Sequence, residues 1–290
     1  MVVDILQTIA ERTRHRVARC RASVPLEQLI DQAGSDPAAG RDFEQALRSP
    51  GISFIGEIKR ASPSKGLIAP DFPYLQIAQE YAAADVAAIS VLTEPEFFQG
   101  DDLYLSRIAQ VVTTPLLRKD FTVDPYMIYQ AHHLGAAAVL LICAILSPAE
   151  LAAYLHIADR LGLAALVETH DETEVAMALA AGAKIIGVNH RDLKTFTVDL
   201  GVSERLRSLV PASVLFVAES GISTPGDIAR LRDVGVDAVL IGETIMTSPD
   251  KSAMIARLRG DEPGHGDGER VRPGEWQQSG SRTESRSVSS

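Results

Sequence analysis

Two charged residues, Glu57 and Lys59, stand at the end of a short apolar run, where a buried strand should finish. Residues two apart in a β-strand face the same side, so this carboxylate and this ammonium point in one direction. Inside a barrel, the pair would lie at the mouth of the fold and could serve acid–base chemistry. On an edge strand, it would be an ordinary surface salt bridge. Residues 62–66 then add a serine, a proline turn and a glycine around a possible anion.

Other apolar runs also end in charged or polar residues, namely Lys119, Glu168, Asn189, Glu219 and Glu243. Barrel enzymes place their chemistry at the carboxyl ends of the strands, whereas interior barrel positions are normally Val, Ile or Leu. A salt bridge at the rim would explain any one of these residues, but packing does not explain the set. The pattern therefore predicts a functional site.

Glycines follow the last two strand ends, in ESG at 219–221 and in GET at 242–244. Such glycines let backbone amides approach an anion closely. Barrels commonly bind phosphate at this position, with the amino end of a short helix. Glycine turns also occur for structural reasons, so either one alone is weak evidence. Both together, with Lys59 nearby, predict a phosphate site.

The elements that must hold these residues are eight apolar runs, each followed by a helix-like segment. The runs are nearly continuous rather than alternating, as expected for parallel strands covered on both faces. We therefore predict an α/β protein, a (β/α)8 TIM barrel within residues 1–260. The rival fold, a doubly wound open sheet, usually carries a GxGxxG fingerprint, which is absent. The runs cover residues 52–58, 86–92, 115–118, 137–142, 164–167, 184–188, 214–218 and 238–241.

Composition limits the classes of function. The chain has 290 residues, 46% of them hydrophobic, which suits one large core. Its net charge of −10 argues against nucleic acid as a partner and means that an anionic substrate needs a local positive pocket. No stretch resembles a membrane span or a signal peptide. Two cysteines, Cys20 and Cys143, suggest neither a disulfide framework nor a zinc site. We expect a cytoplasmic protein without membrane contact, and a monomer.

Both ends of the chain fall outside the strand–helix repeat. Residues 4–31 mix apolar positions with several arginines, which predicts a basic helical stretch. Such a stretch can bind membranes or acidic partners, but packing on the barrel's own face is the favoured interpretation. Residues 261–290 have almost no apolar residues, so we predict a disordered tail that includes the only tryptophan, Trp276.

Two histidines near strand ends, His170 and His190, make a metal site an alternative to consider. His170 shares a strand face with Glu168 only if that strand continues so far. No third ligand has a convincing spacing, so we expect no metal.

The strand-end residues, in this order, resemble the indole-3-glycerol-phosphate synthase family of tryptophan biosynthesis. The resemblance runs from about residue 4 to residue 259 and includes a helical region ahead of the barrel. It implies conversion of 1-(2-carboxyphenylamino)-1-deoxyribulose 5-phosphate to indole-3-glycerol phosphate, with loss of carbon dioxide and water and without cofactor or metal. The matching segments are GEIKRASPSKG, ISVLTEPEFFQG, LLRKDF, VDPYMIYQA, LVETHDE, IIGVNHRDL, VAESGIS and LIGET.

The resemblance also implies catalytic roles. Lys119 matches the general acid of ring closure, Lys59 matches a lysine that contacts substrate and phosphate, and Glu168 is the partner in dehydration. The glutamates at positions 57 and 219 match residues that orient the lysines and the sugar hydroxyls, and the asparagine at 189 matches a substrate contact. The implied catalytic set is Glu57, Lys59, Lys119, Glu168, Asn189 and Glu219.

Binding positions follow from the same resemblance. Aromatic and leucine side chains would form an apolar wall for the substrate ring, Arg191 would steer the carboxylate, and Glu243 would face phosphate through its backbone amide. The implied substrate-binding residues are Ser62, Phe98, Phe121, Leu140, Arg191 and Leu193, and the phosphate-binding residues are Lys59, Ser220, Gly221, Gly242 and Glu243. His190 departs from the commoner Asn or Ser, and segment 81–88 lacks a usual glycine. Neither departure affects the acid–base set.

Two other functions remain open from the sequence. Phosphoribosylanthranilate isomerase, another barrel enzyme, would have a cysteine at the first strand end, where this chain has Glu57 and Lys59. A non-catalytic barrel, acting as a ligand sensor or an assembly partner, should have lost one of the charged residues. None is missing.

Overall fold

The structure is a computed structural model that describes residues 5–33, 43–192 and 195–261. Three predictions fall outside the described residues: the disordered tail beyond residue 261, its Trp276, and the pocket position Leu193. They stay predictions.

Eight parallel strands close into a barrel, and two very short strands pair as a hairpin beside it. The barrel strands are β1 Ser53–Ile58, β4 Ala88–Leu92, β5 Leu116–Lys119, β6 Ala138–Ile142, β7 Ala164–Thr169, β8 Ile185–Asn189, β9 Leu215–Glu219 and β10 Ala238–Ile241; the hairpin strands are β2 Ala61–Ser62 and β3 Gly66–Leu67. The order around the barrel is β1-β10-β9-β8-β7-β6-β5-β4, and β4 pairs with β1 to close it. Each predicted apolar run forms one strand, so the predicted TIM barrel is confirmed.

Helices follow the strands around the outside. They are α1 Ile5–Ser23, α2 Leu26–Ala33, α3 Phe43–Leu47, α4 Tyr74–Ala83, α5 Asp102–Val111, α6 Pro125–His133, α7 Pro148–Arg160, α8 Glu172–Ala180, α9 Gly201–Arg207, α10 Pro225–Val234, α11 Glu243–Met246 and α12 Lys251–Arg259. Ser147 and Thr224 each form a capping box, which satisfies free amides at the starts of α7 and α10. Strands β4, β6 and β10 are buried along their whole length, because the helices cover the sheet's outer face.

The N-terminal segment forms two helices rather than the single stretch predicted for residues 4–31. Pro25 lies between α1 and α2, and proline both lacks a backbone donor and restricts the residue before it. Ile9, Val17 and Leu29 are buried, as expected for packing on the barrel, whereas Ile30 is 42% exposed. Within the described ranges, no helix combines the length and the hydrophobicity needed to span a membrane.

Helix α1 reaches the carboxyl end of the barrel. Arg16 Nη2 donates to Asp120 Oδ1 at 2.6 Å, and Asp120 directly follows the last residue of β5. The other oxygen, Asp120 Oδ2, accepts from Thr93 Oγ1 at 2.6 Å. The Asp120 side chain is fully buried. The ion pair therefore fixes the N-terminal helix to the end of the barrel where the predicted site residues lie.

Candidate active site

A cavity of about 700 Å³ opens at the carboxyl ends of the strands. It brings together every predicted site residue that the structure describes; Leu193 lies outside the described residues. Those residues are Glu57, Lys59, Ser62, Phe98, Lys119, Phe121, Leu140, Glu168, Asn189, Arg191, Glu219, Ser220, Gly221, Gly242 and Glu243. Parallel strands end at one edge of the barrel, which explains why residues far apart in sequence line one cavity.

Lys119 lies at the centre of this cavity, between two buried carboxylates. Its Nζ is 3.0 Å from Glu168 Oε2 and 3.0 Å from Glu219 Oε2. The three side chains come from the ends of β5, β7 and β9, and their exposed fractions are 13%, 4% and 2%. Asn189 Nδ2 donates to the other oxygen of Glu168, Oε1, at 3.3 Å. The ammonium is therefore held in place with little solvent around it.

The charges of this cluster shift its proton affinities. Burial lowers the pKa of Lys119, but the neighbouring carboxylates outweigh burial and leave it raised. Burial raises the pKa of Glu168, yet Lys119 and His170 hold it below its ordinary value. Burial, opposed by Lys119 and reinforced by Glu168, raises the pKa of Glu219 to about 7. Near neutral pH, Glu168 is thus ionised while Glu219 is partly protonated. Such a difference in pKa separates the roles of acid and base in enzymes.

Glycines make room for the carboxylates of the cluster. A Cβ on Gly187, in β8, would overlap Glu219 Oε1. That oxygen is buried and has no hydrogen-bond partner among the described residues. A Cβ on Gly242 would overlap Glu57 Oε2 and would come within 3.0 Å of Lys59 Nζ. Each glycine is therefore required by a close approach of a side chain rather than by a turn.

Glu57 and Lys59 form an ion pair inside the cavity, through Oε2 and Nζ. Their side chains are 6% and 16% exposed, so the alternative of a surface salt bridge is wrong. The strand alternation points both residues into the barrel, as predicted. Glu57 also adds to the negative charge around Lys119.

The two glycine loops lie side by side at one end of the cavity. Ser220 and Gly221 have positive φ angles of 71° and 75°, and a Cβ on Gly221 would overlap Val198. His190 Nδ1 donates to the Ser220 carbonyl at 3.0 Å, while His190 Nε2 accepts from Ser203 Oγ at 2.6 Å. A positive φ is costly for a non-glycine residue. The hydrogen bond from buried His190 to the Ser220 carbonyl helps to stabilise this conformation of the loop.

The first loop, which includes the β2–β3 hairpin, closes over the same end. Lys65 Nζ lies 3.0 Å from Glu243 Oε1, and Ser62 Oγ lies 3.5 Å from Ser64 Oγ. The Glu243 carboxylate is therefore directed at Lys65 of the first loop. The expectation that Glu243 contacts an anion through its backbone amide stays a prediction.

The opposite wall of the cavity is apolar. The ring centroids of Phe98 and Phe121 are 6.1 Å apart, and Leu140 also belongs to the cavity lining. The sequence missed further apolar lining residues from α1 (Ile5, Leu6 and Ile9) and from the loop after β8 (Phe196 and Val198). The i, i+4 spacing of Ile5 and Ile9 carried a signal, but it was interpreted only as packing on the barrel.

Arg191 lies at the edge of this wall. Its backbone N donates to Asn189 Oδ1 at 3.0 Å, and its Nη1 donates to the Phe196 carbonyl at 3.2 Å. The loop after β8 thus holds the guanidinium in place, and Arg191 is one of the residues that line the cavity.

The histidines considered as metal ligands lie in separate environments. His190 bonds the Ser220 carbonyl and Ser203, while His170 Nδ1 donates to Glu174 Oε2 at 2.9 Å. Among the described residues, no group of three or more His, Cys, Asp or Glu side chains is arranged to hold a metal ion.

Comparisons with known proteins identify the family. The family model described as Indole-3-glycerol phosphate synthase matches residues 6–258. An indole-3-glycerol phosphate synthase of Ruminiclostridium cellulolyticum is 53% identical over 260 residues, which cover 88% of this chain and 99% of the relative. One of Lachnoclostridium phytofermentans is 49% identical over 267 residues, covering 88% and 98%.

A solved structure supports the fold alone. That of 3-hexulose-6-phosphate synthase from Salmonella typhimurium matches with a TM-score of 0.60 at 12% identity, covering 71% of this chain and 96% of that chain. The family model, in contrast, covers all eight barrel strands, and both relatives match 88% of this chain. This chain therefore belongs to the indole-3-glycerol phosphate synthase family and is an enzyme of the carboxy-lyase class.

Proposed function

We propose that the cavity converts 1-(2-carboxyphenylamino)-1-deoxyribulose 5-phosphate to indole-3-glycerol phosphate, carbon dioxide and water, with Lys119 as the general acid. The observation that carries this proposal is the Lys119 ammonium, 3.0 Å from each of two buried carboxylates in the cavity of a family member. Each proposed step uses protein side chains alone.

Ring closure needs an acid beside the sugar C2′ oxygen. As the aromatic carbon bonds to C2′, negative charge develops on that oxygen, and a buried ammonium stabilises it and then protonates it. The carboxylates that hold Lys119 favour its charged form in the resting enzyme. They also fix its position, so little reorganisation is needed when charge develops.

Glu168 serves the later dehydration. Loss of carbon dioxide restores the aromatic ring, after which the C2′ hydroxyl must leave and a proton must be removed. The lowered pKa of Glu168 keeps it ionised and able to accept that proton, whereas Glu219 is partly protonated near neutral pH. We assign to Glu219 and Glu57 the orientation of the lysines and of the sugar hydroxyls, and to Asn189 a contact with the substrate.

Binding uses the two ends of the cavity. The phosphate would bind between the loops of Ser220-Gly221 and Gly242-Glu243, with Lys59 and Ser62 nearby. The substrate ring would pack against the apolar wall formed by Phe98, Phe121 and Leu140, with the expected Leu193 beside them. Arg191, at the edge of this wall, would pair with the substrate carboxylate.

The activity is tested by mixing the purified full-length chain with this substrate and following indole fluorescence. Lys119→Met serves as the control for a contaminating host enzyme. We expect one indole product for each carbon dioxide released by the wild type. No product above the Lys119→Met background would contradict the proposal, and conversion of this ketose to its aldose-derived isomer, phosphoribosylanthranilate, without an indole would favour an isomerase.

We also propose that the enzyme works in the cytoplasm as a monomer without cofactor, on the basis of its sequence and family. The barrel with its N-terminal helices would be one domain, residues 1–260, followed by a polar tail.

A further inference from the structure

His170 directly follows β7 and lies between two carboxylates. Its backbone N and its ring Nδ1 both donate to Glu174 Oε2, at 2.8 and 2.9 Å. Its other ring nitrogen, Nε2, is buried and lies 3.5 Å from Glu168 Oε1. The His170 side chain is 21% exposed and that of Glu168 only 4%. The imidazole therefore stands between the solvent and a buried catalytic carboxylate.

This geometry favours a charged ring. An ionised Glu174 can only accept, so Nδ1 carries a proton. A neutral ring would then turn the Nε2 lone pair towards the Glu168 carboxylate, whereas a charged ring presents an N–H. Burial lowers the pKa of His170, but the hydrogen bond to Glu174 and the charge of Glu168 raise it above the ordinary value. The resting enzyme thus stores a proton beside Glu168.

The proposed reaction consumes one proton in each turnover. In ring closure, the ring carbon that bears the carboxylate bonds to C2′, and the carbonyl oxygen takes a proton from Lys119. Loss of carbon dioxide returns the bonding electrons to the ring and moves no proton. In dehydration, the C1′ proton passes to Glu168 and on to Lys119, which gives a proton to the hydroxyl. The hydroxyl leaves as water, and the electrons of the C1′–H bond form the C1′–C2′ double bond. Two protons are supplied and one is recovered.

We propose that His170 supplies the missing proton, from Nε2 to Glu168 Oε1. The inference rests on the proposed function, because it uses the proton balance of that reaction. Glu168 Oε2 is 3.0 Å from Lys119 Nζ, so the carboxyl group connects His170 to the general acid. Glu168 then receives two protons per cycle, one from C1′ and one from His170, and Lys119 releases two. His170 does not line the cavity and acts only through Glu168.

Neighbouring groups are less suited to this task. The ionisable groups that act on the pair are Lys119 of β5, Glu174 of α8 and Glu219 of β9, and Cys143, in the turn after β6, lies near Glu168 and Glu174. Burial raises the pKa of Cys143 to about 12, so its thiol keeps its proton near neutral pH. Burial raises the pKa of Glu219 to about 7, but its side chain is only 2% exposed. His170 combines a suitable proton affinity with access to water.

Loss of the proton also prepares the ring for recharging. The charged ring is held to Glu174 by the attraction of opposite charges as well as by the hydrogen bond, so the neutral ring is held less firmly. Exposed side chains change rotamer within nanoseconds, whereas a typical turnover takes on the order of 100 ms. The partly exposed ring can therefore turn Nε2 to water and back between turnovers.

Rapid mixing of the full-length enzyme with excess substrate at pH 8.5, in weak buffer, tests this role. The variants are His170→Gln, which keeps a polar side chain, and His170→Ala, which leaves space for added imidazole. His156→Gln, an exposed histidine on α7, is the matched control. In both His170 variants we expect a first turnover at the wild-type rate, a burst of one product per site, and then a steady state slowed by roughly 10- to 100-fold. Imidazole should restore the steady state of His170→Ala and leave wild type and control unchanged.

Three results would overturn the role of His170: an equally slow first turnover, which indicates that the ring only positions Glu168; an unchanged steady state; or no response to imidazole. If His170→Ala does not fold, Glu174→Gln decides the question, because this variant keeps the His170 ring and removes the charge of its partner. Glu174→Gln should show the same burst with a smaller loss of steady-state rate, and absence of the burst would contradict the relay. Absence of product from the wild type would instead overturn the proposed function, and the relay with it.

Discussion

Replacing Lys119 by methionine removes the charge at the centre of the cavity while keeping an unbranched side chain in its place. The ammonium lies 3.0 Å from Glu168 Oε2 and 3.0 Å from Glu219 Oε2. As a general acid, it should contribute roughly 10²- to 10⁴-fold to kcat, which is about 3–5 kcal/mol of the barrier. Substrate affinity should stay within about tenfold, because the charge matters most as the C2′ oxygen becomes anionic.

Stability should change as well, with a defined pH dependence. Lys119 lowers the pKa of both Glu168 and Glu219, so its loss raises both values. A carboxyl whose pKa is higher in the folded than in the unfolded chain binds more protons when folded, so stability falls as the pH rises between the two values. Breaking a buried pair costs roughly 3–5 kcal/mol when the remaining charge is unpaired. We expect most of that cost at pH 8 and little at pH 5, where the carboxyls take up protons.

The assay is the initial rate of indole fluorescence, with urea unfolding at pH 5 and pH 8. Lys184→Met is the matched control, because Lys184 forms a 2.9 Å ion pair with Asp159 whose side chains are 66% and 69% exposed. Such exposed pairs contribute little, so the control should resemble the wild type in rate and stability. A Lys119→Met enzyme that keeps more than about a tenth of the wild-type kcat would refute the assignment of the general acid.

Glu168→Gln should slow dehydration severely, so a ring-closed intermediate should accumulate in single-turnover traces; without that intermediate, the assigned order of steps is wrong. Gly221→Ala should weaken inhibition by inorganic phosphate, because a Cβ there would overlap Val198 and the φ angle of 75° disfavours alanine. Unchanged inhibition would place the phosphate elsewhere. Removal of residues 261–290 should leave kcat, KM and Tm unchanged, since this polar segment has too little apolar surface to dock. A clear fall in Tm would contradict the predicted disorder.

Much of the architecture could be predicted, because each strand is a local apolar run and several of them have a polar residue at the carboxyl end. The alternation of Glu57 and Lys59 within one strand was enough to predict that both face the cavity. The pairing of Lys119 with Glu168 and Glu219 was not predictable from local pattern, since these partners lie 49 and 100 residues away along the chain. Only closure of the barrel brings them together.

Contacts that depend on side-chain direction were also missed. Ile5, Leu6 and Ile9 line the cavity because α1 is held over the barrel end by the ion pair between Arg16 and Asp120, and nothing local in the sequence specifies that pairing. The break at Pro25 could have been predicted from the proline itself.

The most direct test of the proposed site is a crystal structure of the enzyme with indole-3-glycerol phosphate. The account predicts the phosphate between the Ser220-Gly221 and Gly242-Glu243 loops, the indole ring against Phe98 and Phe121, and Lys119 Nζ beside the indole carbon that derives from C2′. A phosphate bound at another end of the barrel, or Lys119 directed away from the indole, would contradict the assignment of this cavity as the place where the ring is closed.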